Sequence, residues 1–147
     1  MEYKFEDYSL TPEKFFAILD SDWQNEIVPF WKDYSSSTKT YVITENKKVI
    51  AGGLVFKKCP PDMLYFEKNA QIWFDDKFLY LGFIWVDKNL RGKNIGSLWL
   101  KYLNDLNPSQ KYWLTVEEES LIHFYNKNGF LLKEAIKNNT EWLLAYQ

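Results

Sequence analysis

The chain has 147 residues, 46% of them hydrophobic and 26% charged, which suits one ordinary globular domain with a single core. A net charge of −2 argues against nucleic acid or an anionic membrane as the main partner, and a single cysteine excludes an internal disulfide. The aromatic content of 19% predicts a core packed with rings. Met1 to Leu10 reads as a first strand; it lacks the apolar stretch and cleavage site of a signal peptide, so a cytoplasmic protein is expected. Thr11-Pro12 marks a helix start, and Phe15, Phe16, Leu19 and Trp23 supply one apolar helix face. Gln24 to Ser37 holds Pro29 and a serine run, which predicts a short helix and a loop. Thr40 to Thr44 and Val49 to Phe56 are predicted strands, joined through the turn Glu45 to Lys48. Cys59-Pro60-Pro61 breaks the chain. The stretch Asp62 to Lys77 predicts a helix and then a loop, with Ile72 to Phe74 also compatible with a strand.

The most informative stretch follows. Leu79 to Val86 is too short to span a membrane and suits a strand covered on both faces. After the polar break Asp87 to Asn89 comes Arg91-Gly92-Lys93-Asn94-Ile95-Gly96. Then Ile95, Leu98, Trp99, Tyr102, Leu103 and Leu106 recur at helical spacing. A helix opening at such a turn points free N–H groups and its positive dipole end outward, where a phosphate fits. Gly92 and Gly96 remove Cβ atoms from the approach, and Arg91 and Lys93 add charge. A P-loop needs Lys-Ser or Lys-Thr after its last glycine, and none follows Gly96. A dinucleotide fingerprint has its glycines in another order.

The remaining pattern, Arg91-x-x-Asn94-x-Gly96, resembles the pyrophosphate loop of the GNAT-type N-acetyltransferases. The departure is Asn94, where that family usually has glycine; Asn is the residue that best tolerates a left-handed backbone in its place. A second segment resembles the same family. Tyr112 to Val116 reads as a strand, Glu117 to Glu119 as an acidic turn, and a short helix ends in Phe124-Tyr125-Asn126-Lys127-Asn128-Gly129-Phe130. Gly129 fits the position just past a helix end. Tyr125 follows the loop by about 30 residues, as in the family. An asparagine common seven residues before the tyrosine is replaced by Glu118. The predicted strands Phe130 to Ile136 and Glu141 to Ala145 close the chain around the turn Lys137 to Thr140.

The resemblance implies an α/β fold with a mixed, mostly antiparallel sheet flanked by helices, in one N-acetyltransferase domain over residues 1–147. It implies acetyl-coenzyme A as acyl donor. Its pantetheine arm would lie along Ile84, Trp85 and Val86, and its diphosphate on Arg91, Gly92, Lys93, Asn94, Ile95, Gly96 and Ser97. One N–H of the strand edge would then face the thioester oxygen. Tyr125 is the candidate general acid, because a phenol is protonated at neutral pH and can hand a proton to a leaving thiolate. Away from the motif, a tyrosine at helical spacing from Leu121 reads equally as core.

A base is harder to assign. An amine with a pKa of about 10.4 is neutral in about one molecule in 2,500 at pH 7, a cost of about 4.6 kcal/mol, so something must take its proton. Alternation from Leu114 and Val116 turns Thr115 and Glu117 to the opposite face, which makes Glu117 the first choice, while a run of three glutamates also reads as a solvated turn. His123, the only histidine, reads as a helix-surface residue, and Cys59 as a free thiol. One His and one Cys are too few for a structural zinc site, and no metal is expected. The expected partner is a small-molecule or peptide amine, with no nucleic acid and no membrane and with homodimerisation left open. Acidic residues at Glu117 to Glu119 and Asp75-Asp76 favour a cationic amine, and the aromatic stretch around Trp73 and Phe74 reads as either a pocket cover or sheet packing. The competing readings are a non-catalytic acyl-coenzyme A sensor and an interaction domain that has lost its ligand.

Overall fold

The computed structural model describes residues 2–147; Met1, at the start of the predicted first strand, lies outside them. The strands are β1 (Tyr3–Asp7), β2 (Thr38–Glu45), β3 (Lys48–Phe56), β4 (Phe78–Val86), β5 (Lys111–Val116), β6 (Leu131–Ile136) and β7 (Glu141–Tyr146). They form one sheet in the order β1-β2-β3-β4-β5-β7-β6, antiparallel throughout except for β4 against β5. This is the mixed, mostly antiparallel sheet expected. The β2–β3 hairpin turns through Asn46 and Lys47, both at positive φ (53° and 67°), the backbone of a tight two-residue turn matched to strand twist.

Helices cover both faces. One face carries α1 (Glu13–Phe16), α2 (Ser21–Ile27), α3 (Trp31–Tyr34) and α4 (Glu67–Asp75); the other carries α5 (Ile95–Leu106) and α6 (Ser120–Lys127). Two adjacent glycines of β3 make the sandwich thin enough. A Cβ on Gly52 would sit 2.7 Å from the Phe15 ring of α1, and one on Gly53 would sit 2.7 Å from the Trp99 indole of α5. Consecutive strand residues face opposite ways, so each glycine cedes its side-chain volume to one aromatic anchor. Both rings are fully enclosed, and the Trp99 indole N–H donates to the Tyr41 carbonyl at 3.0 Å. Burial of such rings stabilises the fold by about 2–3 kcal/mol each.

Two expectations are corrected. The single helix predicted through Phe15 and Trp23 is two helices. Asp20 interrupts it by capping α2, its carboxylate accepting the Trp23 N–H at 2.9 Å. The Gln24 amide closes the break by donating to the carbonyls of Phe16 (2.9 Å) and Leu19 (3.2 Å). The stretch 62–77 stays helical almost to its end: a 3₁₀ turn, Pro61–Phe66, runs into α4, and Ile72 to Phe74 are helical. The reason is the apolar face formed by Phe66, Ala70, Trp73 and Phe74, whose rings pack on Trp113 of β5. Sheet packing thus accounts for the aromatic stretch, and Ile72 is left in solvent at 68% exposure.

Candidate active site

The site begins where the sheet stops being a sheet. β4 and β5 pair over three positions only: Phe78 with Lys111, Leu79 with Tyr112 and Tyr80 with Trp113. Beyond them β4 continues to Val86 while β5 turns its pairing wholly to β7, so the edge of β4 from Leu81 onward has no strand beside it. A bulge deepens the divergence. Leu54 of β3 pairs with Gly82 and Gly52 with Trp85, which leaves Gly53 alone opposite Phe83 and Ile84. Phe83 takes φ 57°, an uncommon conformation for a bulky side chain and one that persists only where packing enforces it. Its ring is buried against Phe56 and Trp23. Gly82 inside an apolar strand is the sequence signal for this bulge.

On the α5 side the phosphate-type loop has the expected backbone. Asn94 is left-handed (φ 62°, ψ 21°) and precedes α5 without a side-chain cap; Gly92 is at φ 82° with open space where a Cβ would be. The first intrahelical bond of α5 is Leu98 N–H to the Asn94 carbonyl at 3.0 Å, so the N–H groups of Ile95, Gly96 and Ser97 have no partner within the helix. Ile95 itself is buried as the helix anchor, while Arg91 to Asn94 are exposed. Arg91 folds back over Trp85, its guanidinium 4.5 Å from the ring centre, and its Nε donates to the Val86 carbonyl at 3.1 Å. Gly96 has a second purpose: a Cβ there would lie 3.1 Å from the Phe124 ring of α6. Its missing side chain therefore seats α6 as well as clearing the loop.

That contact brings the two sequence segments together. The Asn128 amide donates to the Ser97 hydroxyl at 3.1 Å and to the Phe124 carbonyl at 2.9 Å, which ties the end of α6 to the start of α5. Gly129 follows at φ 91°, where a Cβ would meet the Tyr146 ring at 2.7 Å. Tyr125 is 8% exposed, edge-on to both Phe124 (4.9 Å) and Phe130 (5.6 Å). Desolvation by these rings holds its phenol well above the ordinary tyrosine value, so it carries its proton across the neutral range. His123 is exposed on the same helix, as expected.

The opposite face collects carboxylates. Val116 is buried on the α6 side and Glu117 is exposed, while Thr115 turns toward the 3₁₀ turn, as the alternation predicted. Thr115 and Tyr80 share a hydroxyl–hydroxyl bond of 3.2 Å, and the Thr115 hydroxyl lies 3.6 Å from the Met63 sulfur. Asp62 precedes Met63. Its surface is open to water, yet desolvation is the largest influence on its carboxyl, which is pushed up to about 6. Glu26 of α2 is likewise raised, first by desolvation and then by the charges of Asp62 and Glu117. A clasp closes the far side, where the Tyr65 hydroxyl donates to buried Glu141 at 2.7 Å and Lys137 reaches the same carboxylate at 3.4 Å. Sequence reasoning missed Asp62, Glu26 and Tyr80. Nothing local marks them, because an Asp after Pro-Pro reads as the start of a turn. Cys59 is a buried thiol that bonds the Met63 carbonyl, with its pKa pushed up to about 11 by burial.

The profile of the Acetyltransferase (GNAT) family matches residues 5–130. Among solved structures, the chain resembles the IAA acetyltransferase from Bacillus cereus at 18% identity, with 99% of each chain covered and a TM-score of 0.66. It resembles the PaiA N-acetyltransferase from Thermoplasma acidophilum, solved with coenzyme A, at 12% identity, over 100% of this chain and 99% of that one, with a TM-score of 0.66. A GNAT family acetyltransferase from Elizabethkingia anophelis, with acetyl-CoA bound, matches at 13% identity over 99% and 97% of the two chains, TM-score 0.65. No curated protein sequence matches significantly. At these identities the structures speak for the fold, and the family profile covers most of the chain. No helix among the described residues is long and apolar enough to cross a membrane. The free β4 edge, the uncapped start of α5 and Tyr125 are thus parts of one framework, and the chain belongs to the GNAT family of acetyltransferases.

Proposed function

We propose that this chain, as a single domain over residues 1–147 in the cytoplasm, transfers an acetyl group from acetyl-coenzyme A directly to a primary amine. The carrying observation is the gap between β4 and β5, with Tyr125 on one face of the sheet and Glu117 on the other. Taking a proton from the amine and giving one to the sulfur are separate tasks, and this arrangement offers a different residue for each.

The donor supplies an activated thioester carbonyl and a thiol leaving group. The residues present fit it. The unpaired N–H groups of Ile95, Gly96 and Ser97, with Arg91, Gly92, Lys93 and Asn94, form the anion cradle for its diphosphate. The edge of Ile84, Trp85 and Val86, which has no strand beside it, would offer main-chain bonds to the amides of the pantetheine arm, and a β4 N–H beside the bulge would serve the carbonyl oxygen as negative charge develops there. Tyr125 gives its proton to the departing sulfur. A phenol raised by burial would be a poor acid toward a solvated thiolate. A thiolate formed beside the same rings would be raised by the same desolvation, which would keep the two matched. Glu117 draws the ammonium in and shares in taking its proton.

The acceptor is a cationic amine, because the acceptor face presents Glu26, Asp62 and Glu117 while Lys137 is engaged by Glu141. The test is release of coenzyme A thiol from acetyl-coenzyme A with lysine methyl ester, putrescine and phenethylamine. Amine-dependent thiol release with formation of the N-acetyl product is expected. Tight acetyl-coenzyme A binding with no release across the panel would instead support a sensor module.

A further inference from the structure

We infer that the indoles of Trp23 and Trp85 form the wall against which the acceptor lies, and that the acceptor is a primary amine carrying an aromatic ring. The inference names the substrate class for the acetyltransferase reading above and rests on that reading. Trp85 belongs to the stretch of β4 beyond Tyr80 that has no strand beside it. Its contacts settle which face it takes. The Trp23 ring of α2 meets Trp85 at 5.0 Å and 62°, and Phe83 at 5.7 Å and 86°, both edge to face. Ile84 between them lies on the other side with Trp99 of α5: a Cβ on Gly53 would sit 3.2 Å from Ile84 and 2.7 Å from Trp99. Three rings from two elements therefore stand together on the α1–α4 face, at the parted edge of β4.

The wall is rigid but not sealed. Phe83 is 8% exposed, packed on Phe56 and Trp23, and held at positive φ in the bulge. Trp23 is fixed through its backbone, because its N–H bonds the Asp20 carboxylate at 2.9 Å. The neighbouring Gln24 amide ties α2 to the carbonyls of Phe16 and Leu19. Trp23 and Trp85 are nonetheless only half-buried. Beyond Phe83 and each other, neither indole meets a further aromatic ring among the described residues. Two indoles set edge to face, held in place and open to water, suit a flat apolar group, which gains ring–ring attraction as well as burial.

Charge fixes the orientation. Arg91 stacks over Trp85 with its guanidinium 4.5 Å from the ring centre, so an ammonium at that indole would meet a cation already in place. Glu26 lies about one helical turn beyond Trp23 on α2, where the two side chains share a face. The aromatic group thus goes to the indoles and the ammonium to the carboxylate side. A short diamine fits poorly, since its second ammonium would take the place of the ring and lie toward Arg91.

The test compares phenethylamine, 2-cyclohexylethylamine and putrescine as acceptors for wild type, Trp23→Leu and Trp23→Phe, read by thiol release. Wild type should prefer phenethylamine to putrescine by about tenfold or more in kcat/KM, and to the cyclohexyl amine by about threefold, the share that belongs to ring–ring contact. Trp23→Leu should raise KM for phenethylamine about tenfold with little change in kcat, because a wall that holds substrate and transition state alike gives uniform binding. Its kcat/KM for putrescine and its KM for acetyl-coenzyme A should stay within about twofold of wild type, which separates a lost wall from a damaged site. Trp23→Phe should recover most of the loss. The wild-type preference needs no variant, so it tests the inference even where Trp23→Leu folds poorly. Putrescine used by wild type as well as phenethylamine overturns the inference. So does a Trp23→Leu variant that keeps the wild-type KM for phenethylamine, or that melts like wild type and loses putrescine turnover equally. Absence of thiol release from wild type with all three amines overturns the acetyltransferase reading, and the inference with it.

Discussion

The two faces of the sheet are built on different principles. On the α5–α6 face the parts come from two short runs of sequence, 84–97 and 124–130, and they are mostly backbone: unpaired N–H groups, a left-handed Asn94 and two glycines. On the α1–α4 face the parts are side chains from α2, the 3₁₀ turn, β4, β5 and β7, joined across up to 76 residues of sequence by the Tyr65–Glu141 bond. A diphosphate is the same in every donor molecule, and backbone geometry near a helix start recognises it. Under the proposed function the other face receives the acceptor, and its side chains could change without disturbing the backbone of the first face. The teaching is that the constant chemistry is local in sequence and the variable chemistry is not.

If the halves are separate, a change on one face should leave the other's affinity alone, and substitutions at four positions test this. The largest effect is expected from Tyr125→Phe, which keeps the ring among Phe124 and Phe130 and should cut turnover by about 10²-fold or more. Steady-state kinetics with titration of acetyl-coenzyme A should show unchanged donor affinity, and a smaller loss with a donor of more acidic thiol. Unchanged turnover would return Tyr125 to the core.

Next comes Asn94, whose positive φ a β-branched side chain resists. Asn94→Val should weaken donor binding about tenfold, from a backbone cost of about 1–2 kcal/mol, and Asn94→Gly should match or exceed wild type. Acceptor KM at saturating donor is the control, and it should stay put.

On the other face, Tyr65→Phe opens the clasp to buried Glu141. Loss of about 1 kcal/mol should lower the melting temperature by about 3 °C, with a severalfold rise in acceptor KM and no change in donor affinity. A donor defect in this variant would join the two faces and break the comparison. The smallest effect is expected from Arg91→Ala. Arg91 is exposed and stacked on Trp85, so donor affinity should fall only about threefold. That loss should shrink as salt rises, because exposed charges are screened. A loss independent of salt would mean that Arg91 acts by shaping the Trp85 edge.

The sequence by itself determined the strands, the loop, the left-handed Asn94, the helix end at Gly129 and the two segments that the fold brings together. Each depends on a rule that spans a few residues: strand alternation, helical spacing, or tolerance of positive φ. It also placed Thr115 on the right face, since alternation needs only a strand. Where it erred, a local preference lost to a competitor it could not weigh. Asp20 capped a second helix inside an apolar run that looked continuous, and packing on Trp113 held 72–74 in a helix that looked frayed. Only the tertiary structure decided that β4 and β5 part after Tyr80, that Phe83 is forced to positive φ, and that Asp62, Glu26 and Glu117 come close enough for their charges to act on one another. The physical reason is range. A carboxylate's basicity is set by desolvation and charge across several ångströms of folded space, and residues 26, 62 and 117 are neighbours only after the sheet has formed.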